Sequence, residues 1–185
     1  MNTFSPGQKV KSSELNENFN GLADGSELGV GSVTHEKLAV GITVQMVSVS
    51  STADTTGTTV LPVDNTIPQN TEGIEVMTLA ITPKSATNIL VIEAFGLLGS
   101  SVANNLGMAL FQDSTANALV ATNHFQSQSA GDVNLSIMHT MVAGTTSATT
   151  FKIRVGGNSA GTTTWGNGRY STLPHGALKI TEYKA

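Results

Sequence analysis

Cysteine is absent from this chain, which excludes disulfides and thiolate metal sites and says little about compartment. Charge is scarce too. Charged residues make up 12% of the sequence, against the ~25% usual for soluble domains. The surface must therefore be built largely from Thr, Ser, Asn and Gly. The net charge of −4, with Lys and Arg scattered, leaves no basic field to hold nucleic acid. No run approaches the ~18 apolar residues that would cross a membrane as a helix. The first residues, MNTFSPGQKVKSSEL, contain no apolar core of a secretory signal, so synthesis in a cytoplasm is expected. What remains is a 185-residue chain, enough for one domain and an extension.

The two parts differ in pattern. In the first, residues 1–41, Ser12 or Ser13 can cap a helix, with Glu14 in its first turn. Leu15, Phe19 and Leu22 fall at i, i+4 and i+7 and make one apolar stripe. Gly21 and Gly25 mark its end. Such a helix is too short to stand alone in water, so it needs a surface, either its own domain or a partner. Thr34–Leu38 reads as one further capped turn.

Residues 42–185 have strand patterning. Strands are predicted near Ile42–Val49, Val76–Thr82, Asn88–Leu98, Leu106–Asp113, Ala118–Phe125, Asp132–Val142, Thr149–Val155 and Ala177–Tyr183. Turn signals at Thr82–Ser85, Asp113–Ser114, Ser129–Gly131, Ala143–Gly144 and Gly156–Gly157 separate them. Strands at this spacing with no helix between them indicate an all-β, antiparallel sandwich or barrel. Two strands lack the usual polar side. Ile89–Leu98 is apolar on both faces, broken mainly by Glu93. In Asp132–Val142, Ile137, His139 and Met141 share an apolar face, and the opposite face is only half polar. A sheet face that is apolar must be covered. The cover is either a neighbouring subunit, with Ile137, His139 and Met141 in the interface, or a segment of the same chain.

Signals for chemistry are sparse. His35, His124, His139 and His175 show no metal-ligand spacing, and neither a Gly-x-Ser-x-Gly elbow nor a phosphate loop is present. Glu72, Glu75, Asp54 and Asp64 are the acids that could approach one another as a carboxylate pair. No catalytic residue, metal or cofactor is expected. The stretch Gly156–Gly176 has more ligand-binding character, because it holds Trp165, Arg169, Tyr170 and His175 among small polar residues. An exposed aromatic beside Arg can stack on a sugar ring. The alternative is that Trp165 and Tyr170 pack over an open end of the sandwich. Asn167–Gly168 signals a tight hairpin turn here.

Several segments resemble tailed-bacteriophage fibre proteins. Phe4–Phe19 has their Gly, short spacer and Leu-Asn-x-Asn-Phe helix, here Leu15, Asn16, Glu17, Asn18 and Phe19. Gly31–Leu38 (GSVTHEKL) is similar to the element that follows the helix in such proteins. Pro62–Gly73, Ile81–Asn88 and the closing Leu178–Tyr183 are similar to a C-terminal fibre module. The resemblance implies a virion protein, a homotrimeric short fibre or capsid decoration. It implies a jelly roll like that of tumour necrosis factor, spanning residues 42–185. It also implies an anchor in residues 1–41, with Leu15, Asn16, Phe19 and Leu22 meeting a capsid or tail protein. The chain departs from long tail fibres in having no repeat or coiled-coil shaft. A receptor- or glycan-binding head on a host surface is the alternative function, and a jelly-roll enzyme a third. Neither nucleic-acid binding nor membrane insertion is expected.

Overall fold

The computed structural model describes residues 39–166 and 173–185. The expected helix with Leu15, Asn16, Phe19 and Leu22, the turn at Thr34–Leu38, His35, the Asn167–Gly168 turn, Arg169 and Tyr170 lie outside the described residues.

Ten strands follow in chain order: β1 (Thr43–Ser51), β2 (Thr55–Gly57), β3 (Ile74–Ile81), β4 (Ile89–Ser100), β5 (Asn104–Gln112), β6 (Val120–Gln126), β7 (Asp132–Val142), β8 (Thr149–Gly157), β9 (Thr163–Trp165) and β10 (Gly176–Tyr183). Among the described residues there is no helix. Eight of the strands are those expected from the sequence. The short β2 and β9 are additional.

All pairings are antiparallel, in two sheets. In the first, β1 pairs β10, β10 pairs β4, and β4 pairs β7 on its other edge. Beyond the end of β10, β4 pairs β9 through Leu98–Ser100, and β9 pairs β2. The second sheet has the order β3-β8-β5-β6. Along the eight long strands the chain changes sheet at every step except the β5–β6 hairpin. That alternation, with β10 returning between β1 and β4, is the connectivity of a jelly roll.

The core lies between the sheets. Because successive side chains point to opposite faces, every second residue of a strand enters it. Leu90, Ile92, Ala94 and Leu98 of β4 meet Leu106, Met108 and Leu110 of β5 and Phe151, Ile153 and Val155 of β8 in one buried cluster. Leu178 and Ile180 of β10 join the same cluster. Each of the larger side chains, Ala94 apart, contributes about 1.5–3 kcal/mol by leaving water.

Two further devices close the sandwich. Gly96 and Gly176 face each other across the β4–β10 pair, on the inward side. Their missing side chains leave a flat slot, and the six-membered ring of Trp165 fills it. A Cβ at either glycine would overlap that ring. At the opposite end of β10 lies Glu182, which is fully buried. Its carboxylate accepts hydrogen bonds from the Lys84 N–H at 2.8 Å and Asn88 Nδ2 at 2.6 Å, and another from Gln45 Nε2. These donors occupy the oxygens of the buried group, and the 82–88 turn is tied to the last strand.

Gly96→Ala should destabilise the protein by about 1–3 kcal/mol, because the Trp165 ring must shift. Urea unfolding followed by tryptophan fluorescence would measure it, and an unchanged midpoint would show that the ring does not occupy the slot. Glu182→Ala, which strands several buried donors, should cost about 3 kcal/mol. Glu182→Gln should cost less, since one oxygen still accepts from Lys84 and Asn88.

Candidate functional site

The outer faces of the two sheets are treated differently by the chain. On the second sheet, Ala109 and Phe111 of β5 pair with Arg154 and Lys152, whose side chains point away from the core. Both Ala109 and Phe111 are nonetheless buried, in a small cluster with Leu61. The connection between β2 and β3 lies over them as a strap. Leu61 N–H donates to the Gly157 carbonyl at 2.9 Å, and Val63 N–H to Asn158 Oδ1 at 2.6 Å. Arg154 clamps the far end of the strap through the carbonyls of Glu72 at 2.7 Å and Gly73 at 2.8 Å. Within the strap the Thr66 hydroxyl and N–H donate to Asp64 and hold its carboxyl below the usual carboxylate range. Over Ala109 and Phe111 this sheet is covered by its own chain, while Phe125 of β6 stays 59% exposed on the same side.

The first sheet has no such strap among the described residues. The outward side chains of β4 are Ile89, Val91, Glu93, Phe95 and Leu97, and those of β7 beside them are Asp132, Asn134, Ser136, Met138, Thr140 and Val142. Phe95 is 49% exposed, Met138 64% and Val142 54%, and Met46 of β1 adds to the same side at 60%. Side chains of this size are hardly ever gathered on a solvated sheet without a partner. An ion pair on the face joins Lys179 to Glu93 at 2.6 Å. The Glu93 carboxylate raises the Lys179 pKa above its ordinary value, first by hydrogen bonding and then by charge.

Several expectations change here. The sequence reading sets Ile137, His139 and Met141 against a neighbouring subunit, but the structure turns that face inward. Ile137 is buried in the core, Met141 packs against it, and His139 lies half-buried on the same side, opposite Ile92. The pleat decides this: with Leu135 and Ile137 inward, Met138 and Val142 must point out. Trp165 is also not a platform for a sugar. It is fully buried on its glycine slot, which is the packed alternative weighed from the sequence.

The candidate acids Glu72 and Glu75 are engaged locally. Glu75 meets Lys152 at 3.4 Å and Arg154 at 3.6 Å, and Glu72 accepts from the Gln69 N–H at 2.8 Å. Asp54 lies 3.5 Å from Nε2 of the buried His175, within ion-pair reach and too long for a good hydrogen bond. Among the described residues no group of three or more His, Asp or Glu side chains could hold a metal ion. The exposed apolar sheet face was legible only as a strand with no polar side. Its position, on the outside of the first sheet, was not.

No protein-family profile matches the sequence, and no curated protein matches it. Among solved structures, the chain is similar to the infectious bursal disease virus Gx strain structure, with 12% identity over 75% of this chain and a TM-score of 0.36. It spans 37% of the length of that virus protein. It is similar to Eiger TNF from S. frugiperda, with 10% identity, 77% of this chain and 88% of that one covered, and a TM-score of 0.37. It is also similar to the EclA C-terminal domain, described as a sugar-binding protein, with 17% identity, 97% and 99% covered, and a TM-score of 0.32. The class of this chain is defined by its own strand order: residues 40–185 form a jelly-roll module of two packed antiparallel sheets.

Leu61→Ala should cost about 2–4 kcal/mol and loosen the strap. Hydrogen exchange at the Gly73 amide, bonded to Val60, would then quicken while amides in β4 keep their protection.

Proposed function

We propose that this chain is a non-enzymatic structural component of a phage virion. It acts as a homotrimeric short fibre or capsid decoration, anchored by residues 1–41 and presenting its jelly roll outward. The observation that carries the reading is the difference between the two sheets. The strap covers Ala109 and Phe111 on one outer face, whereas on the other Phe95, Met138, Val142 and Met46 stay exposed beside the Lys179–Glu93 ion pair. A module finished on one side and open on the other is suited to assembly. The leader supplies the second support through its resemblance to fibre anchors, with Leu15, Asn16, Phe19 and Leu22 as the contact. Three copies would multiply a weak anchor contact through avidity. Host-surface adhesion is compatible with this role, but the buried Trp165 takes no part in it.

Light scattering after size exclusion should give three times the 19.1 kDa chain mass. A clean monomer would sink the trimer. Phe19→Asp should remove the protein from purified particles and leave the mass of the free protein unchanged. Normal copy number on mutant particles would refute the anchor.

A further inference from the structure

On the outer side of the second sheet, small residues leave a gap that the strap does not fill. Gly107 of β5 stands opposite Asn123 of β6, and Ala109 opposite Ala121. Leu61 lies so close over Gly107 that a Cβ there would come within 2.8 Å of its Cδ2. Ala121 and Asn123, on the edge strand, stay exposed. Between them and the strap is an open pocket of about 150 Å³, lined on the strap side by Pro62, Val63, Asp64 and Pro68. A space of ~150 Å³ holds one six-membered ring. The geometry points to a binding site for one neutral pyranose ring of a glycan, with Asp64 and Asn123 as its polar contacts.

The two polar groups are ready for hydroxyls. Asp64 Oδ1 accepts from the Thr66 hydroxyl at 2.6 Å and the Thr66 N–H at 2.7 Å. These bonds, the hydroxyl's first, favour the ionised carboxylate and leave Oδ2 for a ligand. Among the described residues the Asn123 side chain makes no hydrogen bond, so its amide offers both donors and an acceptor. A sugar hydroxyl donates to a carboxylate and accepts from an amide. Pro62, Val63 and Pro68 supply apolar surface for the C–H side of the ring. Phe125 follows two residues after Asn123 on the same side of β6, roughly 7 Å along the strand, and is 59% exposed. Its ring can stack on the next sugar of the chain.

Charge and size exclude other ligands. No Lys, Arg or His lines the pocket, so a phosphate, a sulfate or an acidic sugar would meet the Asp64 carboxylate uncompensated. Drug-sized and nucleotide-sized ligands need about 300 Å³ or more. A neutral, hydroxyl-rich single ring satisfies both limits.

The test is saturation-transfer NMR on the full chain. The probes are the methyl glycosides of glucose, galactose, mannose and N-acetylglucosamine, with methyl glucuronide as the acidic control. At least one neutral glycoside should bind, and the glucuronide at least tenfold more weakly. Asp64→Ala and Ala121→Leu should each weaken binding at least tenfold, the second by filling the pocket without touching a polar contact. Both residues are exposed, and the far-UV circular dichroism spectrum should be that of the wild type. Should either variant fail to fold, Asn123→Ala replaces it with the same expected loss. Absence of transfer to all four neutral glycosides overturns the site. Binding that survives the variants overturns its location, and glucuronide binding as tight as the neutral sugars overturns the ligand chemistry. None of these readouts depends on the mass in solution, so this inference and the assembly reading above fail separately.

Discussion

A strand with apolar side chains on both faces needs cover on both faces, and β4 sets that requirement for the whole molecule. It is the longest strand, and it pairs β10 along one edge and β7 along the other. Its inward residues, Leu90, Ile92 and Leu98, are at most 1% exposed and form the middle of the core. Its outward residues, Val91, Phe95 and Leu97, have no counterpart elsewhere in the described chain to lie against them. Everything that closes the inner side is intramolecular. What closes the outer side is the functional question, and the reading of this protein as an assembling module follows from it.

The ends of the sandwich are secured by two arrangements that have little to do with hydrophobic pattern. At one end, two facing glycines and a tryptophan form a single packed unit: Gly96 and Gly176 matter for the room they leave, and Trp165 for filling it. At the other end a buried carboxylate, Glu182, gathers donors from a turn and a neighbouring strand. A buried charge is costly unless its lone pairs are occupied. Here they are occupied by groups that the 82–88 turn would otherwise leave unpaired, so the carboxylate and the turn stabilise each other. β10 carries both devices, which makes the last strand the one that locks the fold.

The strap over the second sheet explains why the two outer faces part company. Leu61 is an apolar residue in a loop, and the buried surface it covers belongs to Ala109 and Phe111. With that patch sealed, the polar side chains around it, Lys152, Arg154 and Glu75, form an ordinary solvated rim. Among the described residues no comparable loop falls over β4 and β7. A chain of this length can wrap one sheet and still leave the other for a partner, and the distribution of apolar residues shows that it does the first.

Much of this was written in the sequence, because strand periodicity is a local property. Alternation and turn residues placed eight strands within a few residues, since each strand's own side chains must sort between core and solvent. The short β2 and β9 left no signal: three residues are too few to show a period, and Thr55 and Thr163 owe their pairing to neighbours far away in the chain. Periodicity also showed that β4 and β7 were apolar beyond the needs of one core. It could not say which face of β7 turned inward, because Ile137 and Met138 are equally apolar and only the packing of Leu135, Ile137 and Met141 against the opposite sheet chose between them. In the same way Trp165 looked the same from the sequence whether exposed or buried. Composition and pattern determined an all-β chain with more apolar strand surface than one core consumes. Tertiary structure alone decided where that excess lies, because the identity of a face depends on contacts between strands that are distant in sequence.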